Sequence, residues 1–284
     1  MKLFKNSWQI CLLSFRKWTT NYRIWIAAIL LLILTHKYTK DYAVFCANMN
    51  IKMSPYIFPF IYSAKYIKIL FFAPLLMIFC DAPFVDHSQP YIIYRSGRMS
   101  WSIGQIVYIV ITSAMYFAFL MLISNLFILK YVDFSISGWG KVFGTLANTD
   151  AYMVMGLRSY ISGRALAHFT PQQAMVYTFV LSWLSGIFLG LLIYLINSFF
   201  ESRSLGIFFS AFFLVLDSAL TGYHRAMWFS PISWNSIDNI SIGNVSQLPP
   251  IKYMYAAFAF LILIVVILSI IVNRQQSIHV TQPV

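Results

Sequence analysis

Long apolar runs broken by short polar stretches dominate the chain. Six stand out: about 23–38 on "IWIAAILLLIL", about 66–84 on "ILFFAPLLMIFC", about 101–129, about 174–200, about 205–223 and about 252–272 on "AAFAFLILIVVILSIIV". A helix that crosses a bilayer needs ~20 mostly apolar residues. Lipid offers no partner to backbone N–H and C=O groups, so each run is expected to pair them internally as a helix. The runs are too long and too continuously apolar for barrel strands, which alternate in stretches of about ten residues. The pattern predicts an all-α, polytopic integral membrane protein with about six transmembrane helices, forming one domain over 1–284.

The polar stretches predict what surrounds the spans. Leu3, Phe4, Trp8, Cys11, Leu12 and Phe15 recur at helical spacing, with Lys2, Lys5, Arg16 and Lys17 among them. That spacing predicts an amphipathic interfacial helix over 1–22 rather than a cleaved signal, since neither a long apolar core nor a small-residue cleavage site is present. Residues 36–65 join the first two runs, and their aromatic part "SPYIFPFIY" (Ser54–Tyr62) is expected at the membrane interface. The longest link, 130–173, is expected to hold a short amphipathic helix. The link 222–251 carries the turn-rich "SPISWNSIDN". Pro74 is placed to kink the second span.

Composition supports the lipid reading. Of 284 residues, 60% are hydrophobic and 10% charged, where a soluble domain carries about 25% charged. Mean hydropathy is +0.73. The net charge of +12 comes from Lys and Arg scattered among apolar runs. They read as interfacial anchors beside anionic lipid, and no basic stripe marks a nucleic-acid surface. Nine cations fall on the side of the termini and eleven opposite, so charge alone does not orient the chain. Cys11, Cys46 and Cys80 are too scattered for a disulfide framework or a CxxC pair.

One interruption, "DAPFVDHSQPYIIYRSGRMSW" (Asp81–Trp101), is dense in helix-boundary chemistry. Ser88 can cap a first turn that holds Pro90, whose missing donor costs little there. Gly97 suits the left-handed residue that ends a helix. Ser100 can cap the next span. The expected product is a helix of about two turns, Gln89–Ser96. Asp81 and Asp86 precede it and Arg95 and Arg98 close it, complementing its dipole. Tyr91, Ile92 and Tyr94 give it an aromatic, apolar surface. So short a helix is unstable alone. It is either held at the membrane without a partner or inserted into another protein.

"FCDAPFVD", the aromatic turn after it and "YRSGRMSWSIGQIVYI" together resemble the permease subunits of ABC exporters of the type-two (ABC-2-like) class of Gram-positive bacteria. The resemblance extends to the six-span plan, and its specific part covers about 79–109. It implies a subunit in the bacterial plasma membrane with cytoplasmic N- and C-termini. The segment 86–98 would be a coupling helix docked in a groove of an ABC ATPase, with Asp86, Ser88, Tyr91, Tyr94, Arg95 and Arg98 as its contacts. "ESRS" (Glu201–Ser204) would make a lesser contact on the same face. ATP and Mg would be bound by the partner ATPase, with no cofactor on this chain. A second permease subunit would complete the pathway. No G-x-x-x-x-G-K-[ST] loop occurs, and "GWGKVFG" has the wrong spacing.

Ser182, Gly186 and Gly190 fall on one face of the fourth span and predict close helix packing. Asp217 is the one acid well inside an expected span, hence a candidate for the pathway. Asn125 and Asn197 read as structural polar groups near span ends. Ser185 with His224 would be the pair of an intramembrane enzyme, but no partner acid or oxyanion motif accompanies them. No HExxH or metal-ligand spacing occurs. The alternatives to an exporter are therefore a polytopic intramembrane enzyme, or a peptide sensor or immunity protein binding through 130–173.

Overall fold

The computed structural model describes residues 2–62, 66–84, 89–154, 161–202, 204–220, 223, 225–241 and 247–275, without the side chains of Tyr152 and Val154. In chain order the helices are α1 (Lys2–Arg16), α2 (Tyr22–Met49), α3 (Ile67–Phe79), α4 (Gln89–Ser96), α5 (Arg98–Leu126), α6 (Gly140–Asn148), α7 (Ala151–Val154), α8 (Gly163–His168), α9 (Pro171–Phe200), α10 (Leu205–Leu220) and α11 (Ile251–Gln275). Among the described residues no strand forms. A single bridge joins Met53 to Val132, with Met53 N donating to Tyr131 O at 2.9 Å and Asp133 N to Met53 O at 2.8 Å.

Among the described residues three helices, α5, α9 and α11, are long and apolar enough to cross a membrane. The apolar helices α3 and α10 are shorter, at 13 and 16 residues. At ~1.5 Å per residue, neither alone matches a hydrocarbon core of ~30 Å. Helix α9 is the packing centre and lies against α3, α5, α10 and α11. It starts at a capping box: Thr170 accepts from Gln173 N, and the Gln173 side chain accepts from Thr170 N. It ends at Glu201, which takes a left-handed φ of 51°.

Helix α2 runs well past the expected span, through "HKYTKDYAVFCANM". No Gly or Pro interrupts that stretch. Thr35 and Thr39 return their hydroxyls to the carbonyls of Leu31 and Thr35, at 2.7 and 2.9 Å, so polar residues inside the helix are satisfied by the helix. Asn50, with φ of 52°, stops it.

Two links pack into the bundle. Ser54–Tyr62 packs into the protein: Phe58, Phe60 and Tyr62 are fully buried. Phe60 packs its ring 5.2 Å from Trp139 and 5.4 Å from Phe143 of α6. Residues Pro231–Asn239 likewise fold inward as two short 3₁₀ turns, with Trp234 and Asn235 buried. Aromatic bulk draws these segments in. The 3₁₀ turns pair part of the backbone locally, which makes burial tolerable.

These contacts give the bundle two different ends. One carries α1, α4, the start of α5 and the end of α11, joined by a bond from Arg98 Nη1 to Arg274 O at 2.7 Å. The other carries the inward-folded segments under α6 and α8, where Arg164 Nη2 donates to Asp238 O at 2.7 Å.

Candidate functional site

Helix α4 has two unlike faces. Ile93 is buried and meets Ile10 of α1 and Trp101 of α5, with Ile92 beside them. Gly97 closes the helix by donating its N–H to Ile93 O at 2.8 Å. Its φ of 84° would strain a residue with a Cβ. Gly97 is also the N-terminal boundary residue of α5. Ser100, expected to cap that helix, is instead buried inside its first turn. Tyr91 and Tyr94 point away from the bundle, 79% and 94% exposed, and Arg95 is exposed beside them. Arg98 reaches across to α11. Asp81 pairs with Arg23 at the start of α2. Asp86 and Ser88 lie outside the described residues.

Helix α1 supports α4 from behind. Its buried side is Ser7, Ile10 and Cys11, set against Gly104 of α5. A Cβ at Gly104 would stand 2.8 Å from the Ile10 side chain, so glycine is what lets the two helices approach. Leu3, Phe4, Trp8 and Leu12 remain exposed along the opposite side. Of the apolar positions expected on a single face, Cys11 turns inward while these four turn out.

Ser182, Gly186 and Gly190 face the bundle interior on α9. A Cβ at Gly186 would come within 2.8 Å of the Phe117 ring, and one at Gly190 within 2.7 Å of Ile109 and 2.9 Å of Phe79. Helices α3 and α5 thus press directly on the α9 backbone here. Asn197 lies two turns further along. Its side-chain N–H groups donate to Cys80 O at 3.2 Å and Ala82 O at 2.7 Å, and its carbonyl accepts Gly206 N at 2.7 Å. One amide thereby ties the ends of α3, α9 and α10. Asn125 donates weakly to Met121 O, at 3.5 Å.

Asp217 of α10 lies inside the bundle. It is 2% exposed and faces the ammonium group of Lys68, equally buried, across 3.8 Å. The Ser230 hydroxyl donates to the other carboxylate oxygen, and Lys68 Nζ donates to Ser233 O at 3.4 Å. The pair thus pins the inward-folded 230–239 segment to α3 and α10. Sequence reasoning placed Lys68 among the surface cations and missed the pairing. The signal that could have found it was a cation on the first turn of one apolar run and an acid near the far end of another.

Ser185 is buried and lies 2.8 Å from Asn235 Oδ1 and 2.9 Å from Leu181 O. His224 lies outside the described residues. No group of three or more His, Cys, Asp or Glu side chains converges among the described residues. Comparison with protein-family models, curated proteins and solved structures finds no match.

Proposed function

We propose that the chain is the membrane-spanning subunit of an ATP-driven exporter of the ABC class, and that α4 is its docking point for a separate ATPase. In this reading the apolar runs that hold α2, α3, α5, α9, α10 and α11 are six spans in a bacterial plasma membrane, α3 and α10 reaching across together with their flanking residues, and the α1–α4 end is cytoplasmic. ATP and Mg act on the partner chain. A second permease subunit completes the pathway.

The observation that carries the reading is the division of α4. A two-turn helix has little stability of its own, yet this one is anchored by Ile93 and leaves two tyrosines and Arg95 uncovered. Aromatic residues and Arg are enriched where protein interfaces carry their binding energy. The anchor also suits force transmission. A push on α4 reaches α1 and α5 through Ile93, and α11 through the bond from Arg98 to Arg274. Packed interfaces switch between discrete arrangements, so a small shift at such a contact can bias a whole bundle.

The test is co-purification with a Walker-motif ATPase encoded beside this chain's reading frame. Wild type should retain it. Tyr94→Ala with Arg95→Glu should lose it while the subunit still inserts in the membrane. Retention of the ATPase by that folded double variant would reject the docking assignment.

A further inference from the structure

A cavity of about 410 Å³ lies between the first turns of α2, the end of α3 and the middle of α5. Trp18, Trp25, Leu31, Ile78, Tyr116 and Phe119 are among its walls, and its surface is almost wholly apolar. The volume falls in the range of ~300–1,000 Å³ usual for small-molecule sites.

Hydrogen bonds hold part of the lining in place. Trp18 Nε1 donates to Tyr108 Oη at 2.8 Å, and Trp25 Nε1 donates to Thr19 O at 3.4 Å. Asn21 caps α2 by accepting Arg23 N at 3.1 Å, and Arg23 is held by Asp81. The turn between α1 and α2, which supplies part of the lining, is thereby fixed.

Charge selects the occupant. The first acid in the chain is Asp41, whereas Lys2, Lys5, Arg16, Lys17 and Arg23 all precede it. Arg16 and Lys17 stand exposed on the chain immediately before the lining residues Trp18 and Thr19. An apolar slot lined by two indoles, reached by the chain directly after two exposed cations, matches a molecule with a hydrocarbon tail and an anionic head. Tryptophan favours the headgroup level of a bilayer, and cations at that level attract anionic lipid.

We infer that this cavity holds one acyl chain of an anionic phospholipid, with its phosphate at the Arg16–Thr19 turn. The inference rests on the membrane reading, though not on the ATPase. The bound lipid would be structural: it would wedge α2 against α5 beside the α1 helix that braces α4.

Native mass spectrometry of the full chain, equilibrated with phosphatidylglycerol or phosphatidylcholine of matched acyl chains, tests it. Wild type should retain one phosphatidylglycerol, and bind it about tenfold more tightly than phosphatidylcholine. Ala28→Trp, or Met115→Trp from the opposite wall, fills the slot and should abolish retention of either lipid. Arg16→Gln with Lys17→Gln should erase the preference and leave phosphatidylcholine binding unchanged. Circular dichroism and thermal unfolding identify which variants are folded. Equal retention of both lipids by wild type, or unchanged retention by either folded Trp variant, would overturn the inference. A chain that integrates into membranes yet retains no lipid rejects this inference alone. One washed off membranes by carbonate rejects the membrane reading as well.

Discussion

Lys68 and Asp217 meet inside the bundle, ammonium nitrogen to carboxylate oxygen at 3.8 Å, although 149 positions separate them in the chain. Removing one partner of a buried pair leaves the other charge uncompensated, which costs about 3–5 kcal/mol. Lys68→Met alone, and Asp217→Leu alone, should therefore each lower the thermal unfolding midpoint in detergent. The double variant should lose less than the two singles together, because it strands no charge. Full additivity would mean that the two side chains do not depend on one another.

Close approach at α9 makes a second prediction. A Cβ at Gly190 would sit 2.7 Å from Ile109, so Gly190→Ala should destabilise by about 1–3 kcal/mol through overpacking. Gly144 of α6 has no atom within 4 Å of where a Cβ would stand. There Gly144→Ala should stabilise by about 0.5–1 kcal/mol, because alanine restricts the unfolded chain and favours a helix. Thermal unfolding of the two variants side by side checks the sign of each.

Asn197 satisfies two carbonyls and one amide from other segments. Asn197→Leu orphans all of them at a buried position, at about 1–3 kcal/mol for each group left without a partner. Hydrogen exchange should rise at Gly206, whose N–H loses its acceptor. Unchanged exchange there would show that the amide is not held by Asn197.

Ile93 is the buried residue of α4. Truncating a buried Ile to Ala typically costs about 2–5 kcal/mol. Here the cost should fall on one short helix, so Ile93→Ala should raise hydrogen exchange across Gln89–Ser96 and leave α9 unchanged. The same variant should weaken ATPase binding even though Tyr94 and Arg95 are intact. That outcome separates anchoring from contact.

Much of the helical plan is legible in the sequence. Pro90 and Gly97 bracket a helix that occupies Gln89–Ser96, because both residues act through local backbone geometry. The apolar runs of α9 and α11 are long enough to declare themselves. The inward folding of Phe58–Tyr62 and Pro231–Asn239 was not legible. Proline, serine and asparagine mark turns locally, and nothing local says whether a turn faces solvent or core. Burial there is decided by distant rings, Trp139 and Phe143 for one segment and Phe258 for the other. The length of α2 was missed for a related reason. Low hydropathy after Leu34 signals the end of an apolar run, not the end of a helix. The partner of Asp217 was hidden because a lysine at the edge of an apolar run looks like an interfacial anchor until another helix covers it.

The buried 231–237 stretch has a practical bearing on how this chain's topology is mapped. A maleimide or an inserted epitope reports accessibility, not position relative to the bilayer. A reporter at Ser233 or Asn235 would stay silent from both sides and be scored as membrane-embedded. One at Ser135, beside the exposed Phe134, would answer from the side to which that end of the bundle opens.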